Sequence, residues 1–459
     1  MGYLLGIDNG SQSTKVTVFD DKGGVHASAR VPLRPNHTPR PGVVEHPDDD
    51  LWDSVGAATR AALEAFDGDP ADILGAGLCT IRFCRAMLRA DGTLAQPVLS
   101  WMDERVSLPY EHTDPDVRYV TTSSGYITAR LTGRFTDTAA NYQGVWPIDT
   151  DSWEWADGPG VPREMLFDLV YPGDRLGTVT AEAAAHTGLP EGLPVFATAN
   201  DKAVEALGGG LGDDRTLLLS LGTYIAGMTT GSRNVTGATS FWTNFACRPR
   251  EYLYESHGIR RGMWTVSWLR DLLGGPGGEA GEAWLNEGAA KVPPGSDGLV
   301  AVLDWLAPVE APFRKGAFLG FDGRQGPFHL YRAVLEAIAM TLYTNGSAMA
   351  AELGTEFDRV LVSGGGADSD VLMRIVADVF DRPAVRTRGG AGLGAAICAA
   401  VGLGIHGGFD EAVSAMVRQG TEFRPDAATH ERYRRLHEVY RQLPGYTDPL
   451  FARLASAGE

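Results

Sequence analysis

Residues 3–20 read YLLGIDNGSQSTKVTVFD, and this stretch predicts a strand, a small polar turn and a second strand. Residues 216–228, TLLLSLGTYIAGM, repeat the same plan in the second half of the chain. The tip of each hairpin consists of glycine and hydroxyl residues, so backbone N–H groups and hydroxyls can approach an anion without a bulky side chain in the way. Two such tips predict a clamp on a polyphosphate, although a tip of this composition is also an ordinary turn.

The hairpins differ from the common nucleotide-binding loops. A Walker A loop requires a Gly-Lys pair, and none of the five lysines of the chain follows a glycine. Gly10 leads into a second strand, whereas a dinucleotide-binding fingerprint leads into a helix. An Asp at the end of a first strand, followed by glycine and hydroxyl residues, is similar to the start of the actin-like ATPases. The phosphate site is therefore expected to be of that kind.

Composition and charge narrow the class of protein. A chain of 459 residues, 44% hydrophobic and 21% charged, predicts a globular enzyme of two domains. The formal net charge of −18 argues against a nucleic-acid or anionic-membrane partner, since those surfaces repel acidic proteins. The four cysteines lack metal-ligand spacing, and the sequence shows neither a signal peptide nor a long apolar run. We therefore expect a reduced, cytoplasmic protein.

Strand and helix patterns alternate along the chain. Residues 25–31 predict a third strand after the first hairpin, and residues 73–79 predict a buried strand. A helix is expected after Pro47, because acids fill its first turn and apolar residues follow at helical spacing. Residues 330–353 predict a long amphipathic helix. The duplicated hairpin is the only repeat, and it indicates two related halves.

A third glycine element supports a nucleotide site. Residues 359–363 predict a strand, residues 364–370 a tight loop and residues 371–380 a helix whose N-terminus faces that loop. A flat base can lie against such glycines, although a strand-to-helix turn has the same composition. Its combination with both hairpins, in this order, favours the nucleotide interpretation.

At this point the chain resembles the FGGY carbohydrate kinases. The matching stretches are residues 6–11, 101–105, 188–195 leading to 200–202, 220–223, 326–339, 363–367 and 394–397. The resemblance implies an α/β protein of two actin-like ATPase (ribonuclease H-like) domains with a ligand cleft between them. Residues 1–212 would hold the sugar, the first phosphate hairpin and the catalytic Asp, and residues 213–459 the second hairpin and the adenine loop. The implied cofactors are ATP and Mg²⁺.

Asp201 is the candidate general base. It stands between an apolar run and a helical segment, a junction that projects a carboxylate into a cleft, and the family's base falls at this position. An Asp at such a junction often caps the helix instead, so capping is the alternative. Lys202 departs from the amide usual in the family. It is expected to lower the pKa of Asp201, to bond a sugar hydroxyl, or to point outward.

Asp8 is the candidate magnesium ligand, because Mg²⁺ keeps several waters and needs few carboxylates; Asp201 is included as a second metal contact. A purely structural Asp8 is the alternative. The residues predicted to hold the phosphates and the adenine are Gly10, Ser11, Ser13, Thr14, Gly222, Thr223, Gly364, Gly365, Gly366 and Asp370. Lys15 either adds positive charge to this site or is a surface lysine.

Sugar recognition is expected in the N-terminal half. Arg82 matches an arginine that sugar-binding relatives use, and its planar fork can hold two hydroxyls. Trp101 and Asp103 match the next strand end, where a carboxylate can accept two sugar hydroxyls; Arg105 is expected to pair with an acid. The segment between Arg105 and Tyr126 is shorter than in the family, which leaves the fit of the sugar contacts open.

The sequence thus predicts an ATP-dependent kinase acting on a hydroxyl of a small sugar or polyol, namely a ketopentose, a related ketose or an alditol. The alternative is a catalytically silent sugar and nucleotide sensor of the same fold. Retention of both Asp8 and Asp201 favours the enzyme. The expected partner is the small-molecule substrate, and the resemblance also allows a homodimer.

Overall fold

The computed structural model describes residues 2–158, 160–308 and 310–457, and most of its strands belong to two large sheets. The strands are β1 (Tyr3–Asn9), β2 (Ser13–Asp20), β3 (Val25–Pro32), β4 (His37–Arg40), β5 (Val43–Glu45), β6 (Ile73–Thr80), β7 (Ala86–Leu88), β8 (Tyr119–Thr121), β9 (Thr136–Thr138), β10 (Ile148–Asp149), β11 (Glu154–Trp155), β12 (Asp168–Val170), β13 (Arg175–Thr178), β14 (Pro194–Ala197), β15 (Thr216–Leu221), β16 (Ile225–Gly231), β17 (Phe241–Phe245), β18 (Tyr252–Ser256), β19 (Val300–Val302), β20 (Ala317–Leu319), β21 (Arg359–Ser363), β22 (Ala384–Thr387) and β23 (Gln419–Phe423).

The helices pack on and between these sheets. They are α1 (Asp50–Glu64), α2 (Ser123–Thr132), α3 (Ala181–Thr187), α4 (Asp201–Gly208), α5 (Gly262–Leu273), α6 (Gly278–Ala289), α7 (Pro327–Leu353), α8 (Asp370–Phe380), α9 (Ala391–Gly402), α10 (Phe409–Met416), α11 (Ala427–Tyr440) and α12 (Leu443–Ala457).

The first large sheet has the strand order β13-β14-β6-β1-β2-β3. Strands β1, β2 and β3 form an antiparallel meander, and β6 and β14 extend it on the other side in parallel with β1. An antiparallel edge strand, β13, completes it. The three antiparallel strands and the buried strand predicted from the sequence are all present.

The second large sheet repeats this topology in the order β17-β18-β16-β15-β21-β22-β23. Here β15 and β16 form the hairpin, β18 pairs with β16 and β17 adds an antiparallel edge strand, while β21 and β22 run parallel to β15. Strand β23 is the antiparallel strand at the other edge. The duplicated hairpin therefore opens two copies of one ribonuclease-H-like sheet, and the predicted fold class is confirmed. The proposed boundary between residues 212 and 213 falls between α4 and β15.

The first hairpin is buried on both faces, which explains its apolar sequence. Leu5, Ile7 and Val18 pack into a cluster with helix α1, whereas Leu4 and Phe19 face the opposite side and belong to the cluster that contains helix α9. The period of two along a strand sends alternate side chains to opposite faces. Asp8 lies on the same face as Leu4 and Gly6, the face on which helix α9 packs.

Helix α9 joins the halves by resting directly on the first sheet, against β1, β6 and β14. The contact is backbone to backbone, because glycines stand where the helix crosses. A Cβ on Gly6 would lie 2.0 Å from the carbonyl oxygen of Gly392, and a Cβ on Gly77 would lie 1.9 Å from that of Ala395. Helix α9 can approach the sheet this closely only because Gly6 and Gly77 have no side chains.

Two further expectations concern the environment. All four cysteines are free and buried, as expected for a reduced protein. No helix within the described part of the chain has the length and apolar character that a membrane crossing needs.

We expect Gly77→Ala to lower the free energy of unfolding by about 3 kcal/mol or more, at the upper end of the usual range for overpacking, because the obstructing atoms are backbone. Gly277→Ala is the matched control, since a Cβ there meets nothing within 4 Å. Urea unfolding followed by circular dichroism measures both. Equal stability of the two variants would contradict a rigid contact between α9 and the sheet.

Candidate active site

Asp201, the candidate base, is the first residue of helix α4 and is not its cap. Asn200 caps the helix, because its Oδ1 accepts a hydrogen bond of 3.1 Å from the Ala203 N–H. The capping alternative for Asp201 is therefore wrong. The Asp201 side chain remains 32% exposed, and its carboxylate is available to a ligand in the cleft between the two sheets.

Charged neighbours from both halves act on Asp201. Desolvation raises its pKa above the ordinary value, and the negative charges of Glu255 and Glu205 act in the same direction. Arg82 and Lys202 oppose this rise. An Asp with a raised pKa in a cleft is suited to accept a proton, since a base is most effective with a pKa close to the working pH.

Arg82 bridges the two halves of the molecule. Its Nη1 and Nη2 donate to the two carboxylate oxygens of Glu255 on β18, at 2.7 and 3.0 Å. Its Nε lies 3.6 Å from Oδ1 of Asp201. The predicted sugar-binding arginine and the predicted base are thus brought together, and Glu255 joins them from the second sheet.

Lys202 points inward, so the alternative of an outward orientation is wrong. Its Nζ donates to Oε2 of Glu205 at 2.9 Å and to Oγ of Ser220 at 2.8 Å. Its charge opposes the rise in the pKa of Asp201, as the sequence predicted. A bond from Lys202 to a sugar hydroxyl remains a prediction.

Glu205 ties helix α4 to the second sheet. Its Oε1 accepts hydrogen bonds from the hydroxyls of Ser220 on β15 and Ser363 on β21, at 2.7 and 2.8 Å. Desolvation acts to raise the pKa of Glu205, but Lys202 and these hydroxyls hold it below its ordinary value. Glu205 therefore stays ionised and fixes the helix that presents Asp201.

Asp8 lies opposite Lys15 in the first hairpin, and Lys15 lies opposite Arg30 on β3. Directly paired residues of antiparallel strands project from the same face, so two cations accompany this carboxylate. Desolvation, together with the charges of Asp201 and Glu205, nevertheless raises the pKa of Asp8 to about 7. The negative charge at this position is thus incompletely balanced by the protein.

The residues around Asp8 fit a magnesium ion. A divalent cation would balance the excess negative charge that raises the pKa of Asp8. Carboxylate oxygens are the ligands that Mg²⁺ prefers, and the ion retains several waters. Within residues 2–158, 160–308 and 310–457, no three metal-binding side chains converge. The site suits Asp8 as the principal ligand, with Asp201 nearby.

The second hairpin and the third glycine element lie against each other. The carbonyls of Gly222 and Thr223 accept hydrogen bonds from the first N–H groups of helix α5, at 3.1 and 2.8 Å. Gly364 has φ = +84°, and a Cβ there would lie 2.6 Å from the carbonyl oxygen of Leu221. Only glycine fits this position. The predicted phosphate and adenine elements of the second half therefore form one surface.

The remaining residues of the adenine element differ in their surroundings. A Cβ on Gly365 would meet nothing within 4 Å, whereas one on Gly366 would lie 2.8 Å from the sulfur of Met263. Asp370 accepts a hydrogen bond of 2.5 Å from Arg386, and its side chain is 65% exposed. A role of these residues in holding adenine remains a prediction.

The predicted phosphate contact of Thr14 requires correction. Its hydroxyl lies 2.6 Å from Nδ2 of Asn9 and 2.6 Å from Oγ of Ser54 on α1. The side chain is fully buried, because alternation along β2 turns it away from the face that carries Lys15. The Thr14 side chain therefore links α1 to the hairpin, and its hydroxyl is not a phosphate ligand. Gly10, Ser11 and Ser13 remain at the tip.

The predicted sugar contact of Asp103 also requires correction. Its oxygens accept hydrogen bonds from the Val44 N–H at 2.8 Å and from the N–H, Nε and Nη2 of Arg105 at 2.7–2.9 Å. The carboxylate is fully buried and has no free lone pair directed at the cleft. The predicted pairing of Arg105 with an acid is confirmed, and that pairing removes Asp103 from the sugar site.

Aromatic side chains border the cleft. Trp101 is 49% exposed, and its backbone contacts Cys84, two residues after Arg82. Desolvation, followed by the charge of Glu255, raises the pKa of Tyr224 to about 12. Tyr224 therefore lies beside the ion pair of Arg82 and Glu255. Trp264 is partly exposed under the guanidinium of Arg261, 4.2 Å from its ring centroid.

Sequence analysis missed three charged residues of this site: Arg30, Glu205 and Glu255. Glu205 stands four residues after Asp201 and three after Lys202, and this helical spacing was a usable signal. Arg30 on β3 lies opposite Lys15 on β2. The register of these two strands includes a bulge near the start of β3, which the sequence does not reveal. Glu255 lies in the fully buried strand β18, where a carboxylate requires a partner that the local sequence does not supply.

Comparison with known proteins identifies the family. Models of the FGGY family of carbohydrate kinases match residues 3–116 (N-terminal domain) and 217–403 (C-terminal domain). Together they cover more than half of the chain.

Individual relatives match over nearly the whole length. The chain is 46% identical to the uncharacterized sugar kinase YgcE of Escherichia coli (strain K12), covering 98% of this chain and 95% of that protein. It is 28% identical to the glycerol kinase of Delftia acidovorans, covering 94% and 96%. Among solved structures it resembles xylulose kinase from Rhodospirillum rubrum, with a TM-score of 0.85, 28% identity and coverage of 98% and 100%.

We expect Asp8→Asn to raise the melting temperature of the ligand-free protein at pH 8. A carboxyl whose pKa rises on folding, from 3.8 to about 7, destabilises the folded state when ionised. That penalty is absent below the unfolded pKa, grows as pH rises and is complete above the folded pKa. The variant should therefore gain less at pH 5, where only part of the penalty has developed, than at pH 8, where the penalty is complete and the melting temperature should rise by several degrees.

Differential scanning calorimetry without magnesium measures this effect. Asp358→Asn is the control, because Asp358 pairs with Arg215 at the surface and its pKa is lowered. It should not become more stable. An Asp8→Asn variant that melts several degrees lower than the parent at pH 8 would support the structural alternative for Asp8.

Proposed function

This chain belongs to the FGGY family of carbohydrate kinases and is an ATP-dependent sugar kinase, and from that premise we propose that it phosphorylates a primary hydroxyl of a ketopentose, a related ketose or an alditol. The observation that carries this proposal is the position of Asp201. Its carboxylate does not cap helix α4, is partly exposed and lies next to Arg82. Two cations, Lys15 and Arg30, lie near Asp8 in the sheet that contains the first hairpin.

The chemistry assigned to Asp201 is proton removal. The acceptor hydroxyl attacks the γ-phosphorus of ATP and forms a new O–P bond, while the bond between that phosphorus and the β–γ bridging oxygen breaks. The electron pair of the broken bond leaves with ADP. Asp201 takes the hydroxyl proton, a contribution of about 10²–10⁴-fold in rate for a well-placed general base. The raised pKa of Asp201 suits this role.

The two hairpins hold the phosphates in this proposal. Gly10, Ser11 and Ser13 are proposed to offer N–H and hydroxyl donors from the first tip, and Gly222 and Thr223 from the second. Oriented donors of this kind stabilise the charge that spreads over the phosphoryl oxygens. Lys15 and Arg30 add positive charge on the Asp8 side. Mg²⁺, held by Asp8 largely through water, would neutralise phosphate charge when bound.

The acceptor and the nucleoside are proposed to bind to different sets of residues. Arg82, Lys202 and Trp101 are proposed to surround the acceptor, with Tyr224 beside them. For the adenine we propose the surface of Gly364, Gly365 and Gly366, together with Asp370. The two groups come from different halves of the chain, because Arg82 and Trp101 follow β6 and Lys202 lies on α4, whereas the glycines follow β21.

The cellular setting follows from the same chemistry. We propose that the protein works in the cytoplasm, where ATP is available and its four free cysteines stay reduced. Its partner there is the small-molecule acceptor. A homodimer remains a proposal without a specific contact to support it.

A panel of about fifty neutral sugars and polyols, tested with Mg²⁺ and ATP in a coupled assay of ADP release, tests the proposal. Pentuloses, pentitols and hexitols should include the best acceptor. Saturable ligand binding without ADP release from any acceptor would instead support the silent sensor.

We expect Asp201→Asn to lower kcat by about 10² or more, because the amide cannot take the hydroxyl proton, while affinity for ATP changes little. Steady-state kinetics and calorimetric titration with ATP separate the two effects. Asp358→Asn removes a carboxylate remote from the cleft and serves as the control. A kcat for Asp201→Asn within threefold of the parent would exclude Asp201 as the base.

A further inference from the structure

Glu255 holds Arg82 in a buried ion pair that spans the two halves. The carboxylate on β18 has no exposed area, and both of its oxygens accept hydrogen bonds from Arg82, at 2.7 and 3.0 Å. Nδ2 of Asn244, on the adjacent strand β17, donates a further bond of 3.2 Å to Glu255. Each terminal nitrogen of the guanidinium thus donates one of its two N–H groups to Glu255 and keeps the other, and Nε lies 3.6 Å from Oδ1 of Asp201.

The ion pair is weak evidence for a stabilising role. Burying two charges costs desolvation energy that their attraction often only offsets, and apolar residues at such positions are frequently as stable. A function in the cleft is a better explanation, because Arg82 lies 3.6 Å from the proposed base. A ligand bound beside Asp201 therefore experiences the charge of Arg82 together with that of its partner, Glu255.

Both cations at the acceptor end are neutralised by buried carboxylates. Glu255 pairs with Arg82, and Glu205 pairs with Lys202 at 2.9 Å. Asp201 itself adds a further negative charge. An anionic acceptor placed here would thus meet a net negative environment, and like charges repel strongly where water is excluded.

The donor end of the cleft differs. Lys15 and Arg30 accompany Asp8, and within the described ranges neither forms an ion pair closer than 4 Å with a second carboxylate. The two cations beside the proposed phosphate site thus share one carboxylate, Asp8, whereas each cation at the acceptor end has a buried carboxylate of its own. The difference points to acceptors without charge.

We propose that Glu255 is a specificity-determining residue, which cancels the charge of Arg82 so that the site takes neutral polyhydroxylated acceptors and rejects sugar acids of the same size. The proposal rests on the proposed function, since it assumes that the acceptor binds between Arg82 and Asp201. Arg82 still offers hydrogen bonds to hydroxyl groups in this arrangement, but it does not offer a net charge to a carboxylate.

D-Glucitol and D-gluconate provide a matched pair of probes, since they differ only in the hydroxymethyl or carboxylate group at C1. Binding of each to the wild-type protein and to Glu255→Gln is measured by calorimetry at one ionic strength. Glutamine keeps the size and one acceptor oxygen but removes the charge. The ratio of gluconate to glucitol affinity should rise at least about tenfold in Glu255→Gln, because an uncompensated guanidinium would then face the acceptor.

Two further variants control for structure. Glu336→Gln removes a carboxylate from a comparable buried pair, in which Arg332 Nε lies 2.8 Å from Glu336 on helix α7, outside the cleft. It should leave the affinity ratio unchanged. Glu255→Asp keeps the charge with a shorter side chain and should retain the preference for glucitol. An equal gain in gluconate affinity in Glu336→Gln would mean that the effect does not arise in the acceptor site.

The proposal is overturned if Glu255→Gln is folded and its affinity ratio stays within twofold of the wild type, or if the wild-type protein prefers gluconate. These outcomes are independent of turnover. Lack of ADP release from any acceptor would refute the proposed function, whereas the binding ratio would still report on Glu255. If both probes are phosphorylated, the ratio of their kcat/KM values should shift in the same direction as the ratio of their affinities.

Discussion

Four carboxylates share one desolvated cleft, and the structure depends on how their charge is balanced. The four carboxylates are Asp8, Asp201, Glu205 and Glu255. Desolvation and the charges of neighbouring carboxylates raise the pKa values of Asp8 and Asp201. Unpaired charges of this kind are costly to bury. Their balance comes from bonds that cross between the halves: Glu255 to Arg82, and Glu205 to the hydroxyls of two strands of the second sheet. The residues that tune the base are thus also residues that join the sheets.

Close packing fixes the positions of these charged groups. Helix α9 lies on the first sheet at backbone distance because Gly6 and Gly77 leave space for it, and α4 packs against the same helix. The elements that present Asp8 and Asp201 therefore share one rigid support. Small displacements matter in such a site, since positioning a hydroxyl and a phosphorus for reaction depends on distances of an ångström or less.

Local sequence patterns were sufficient for much of the fold. The hairpins, the long helix α7 and the glycine element before α8 follow from periodicity and turn residues, and the duplication of the hairpin correctly indicated two related sheets. The site was harder to predict, because the partners of a charge are set by tertiary contacts. Arg82 was expected to meet a sugar, yet it meets Glu255 from a strand more than 170 residues away.

The two corrections have local causes that the sequence already contained. Alternation along β2 places Thr14 on the face opposite to Lys15, and a strict period of two would have shown it. Asp103 is followed at the second position by Arg105, and an Asp before a short turn commonly accepts bonds from the residues just after it. The hairpin tip suggested a phosphate contact for Thr14 and the family position a sugar contact for Asp103, whereas these bonds already occupy both side chains.

The measurement that tests the central claim most directly is a crystal structure with Mg²⁺, a non-hydrolysable ATP analogue and the best neutral acceptor from the panel. The account predicts one acceptor hydroxyl within hydrogen-bond reach of the Asp201 carboxylate, about 2.6–3.2 Å. It also predicts that the terminal phosphate lies between the tips at Gly10 and Gly222. An acceptor whose hydroxyls all lie beyond the reach of Asp201, or a triphosphate bound away from both tips, would contradict it.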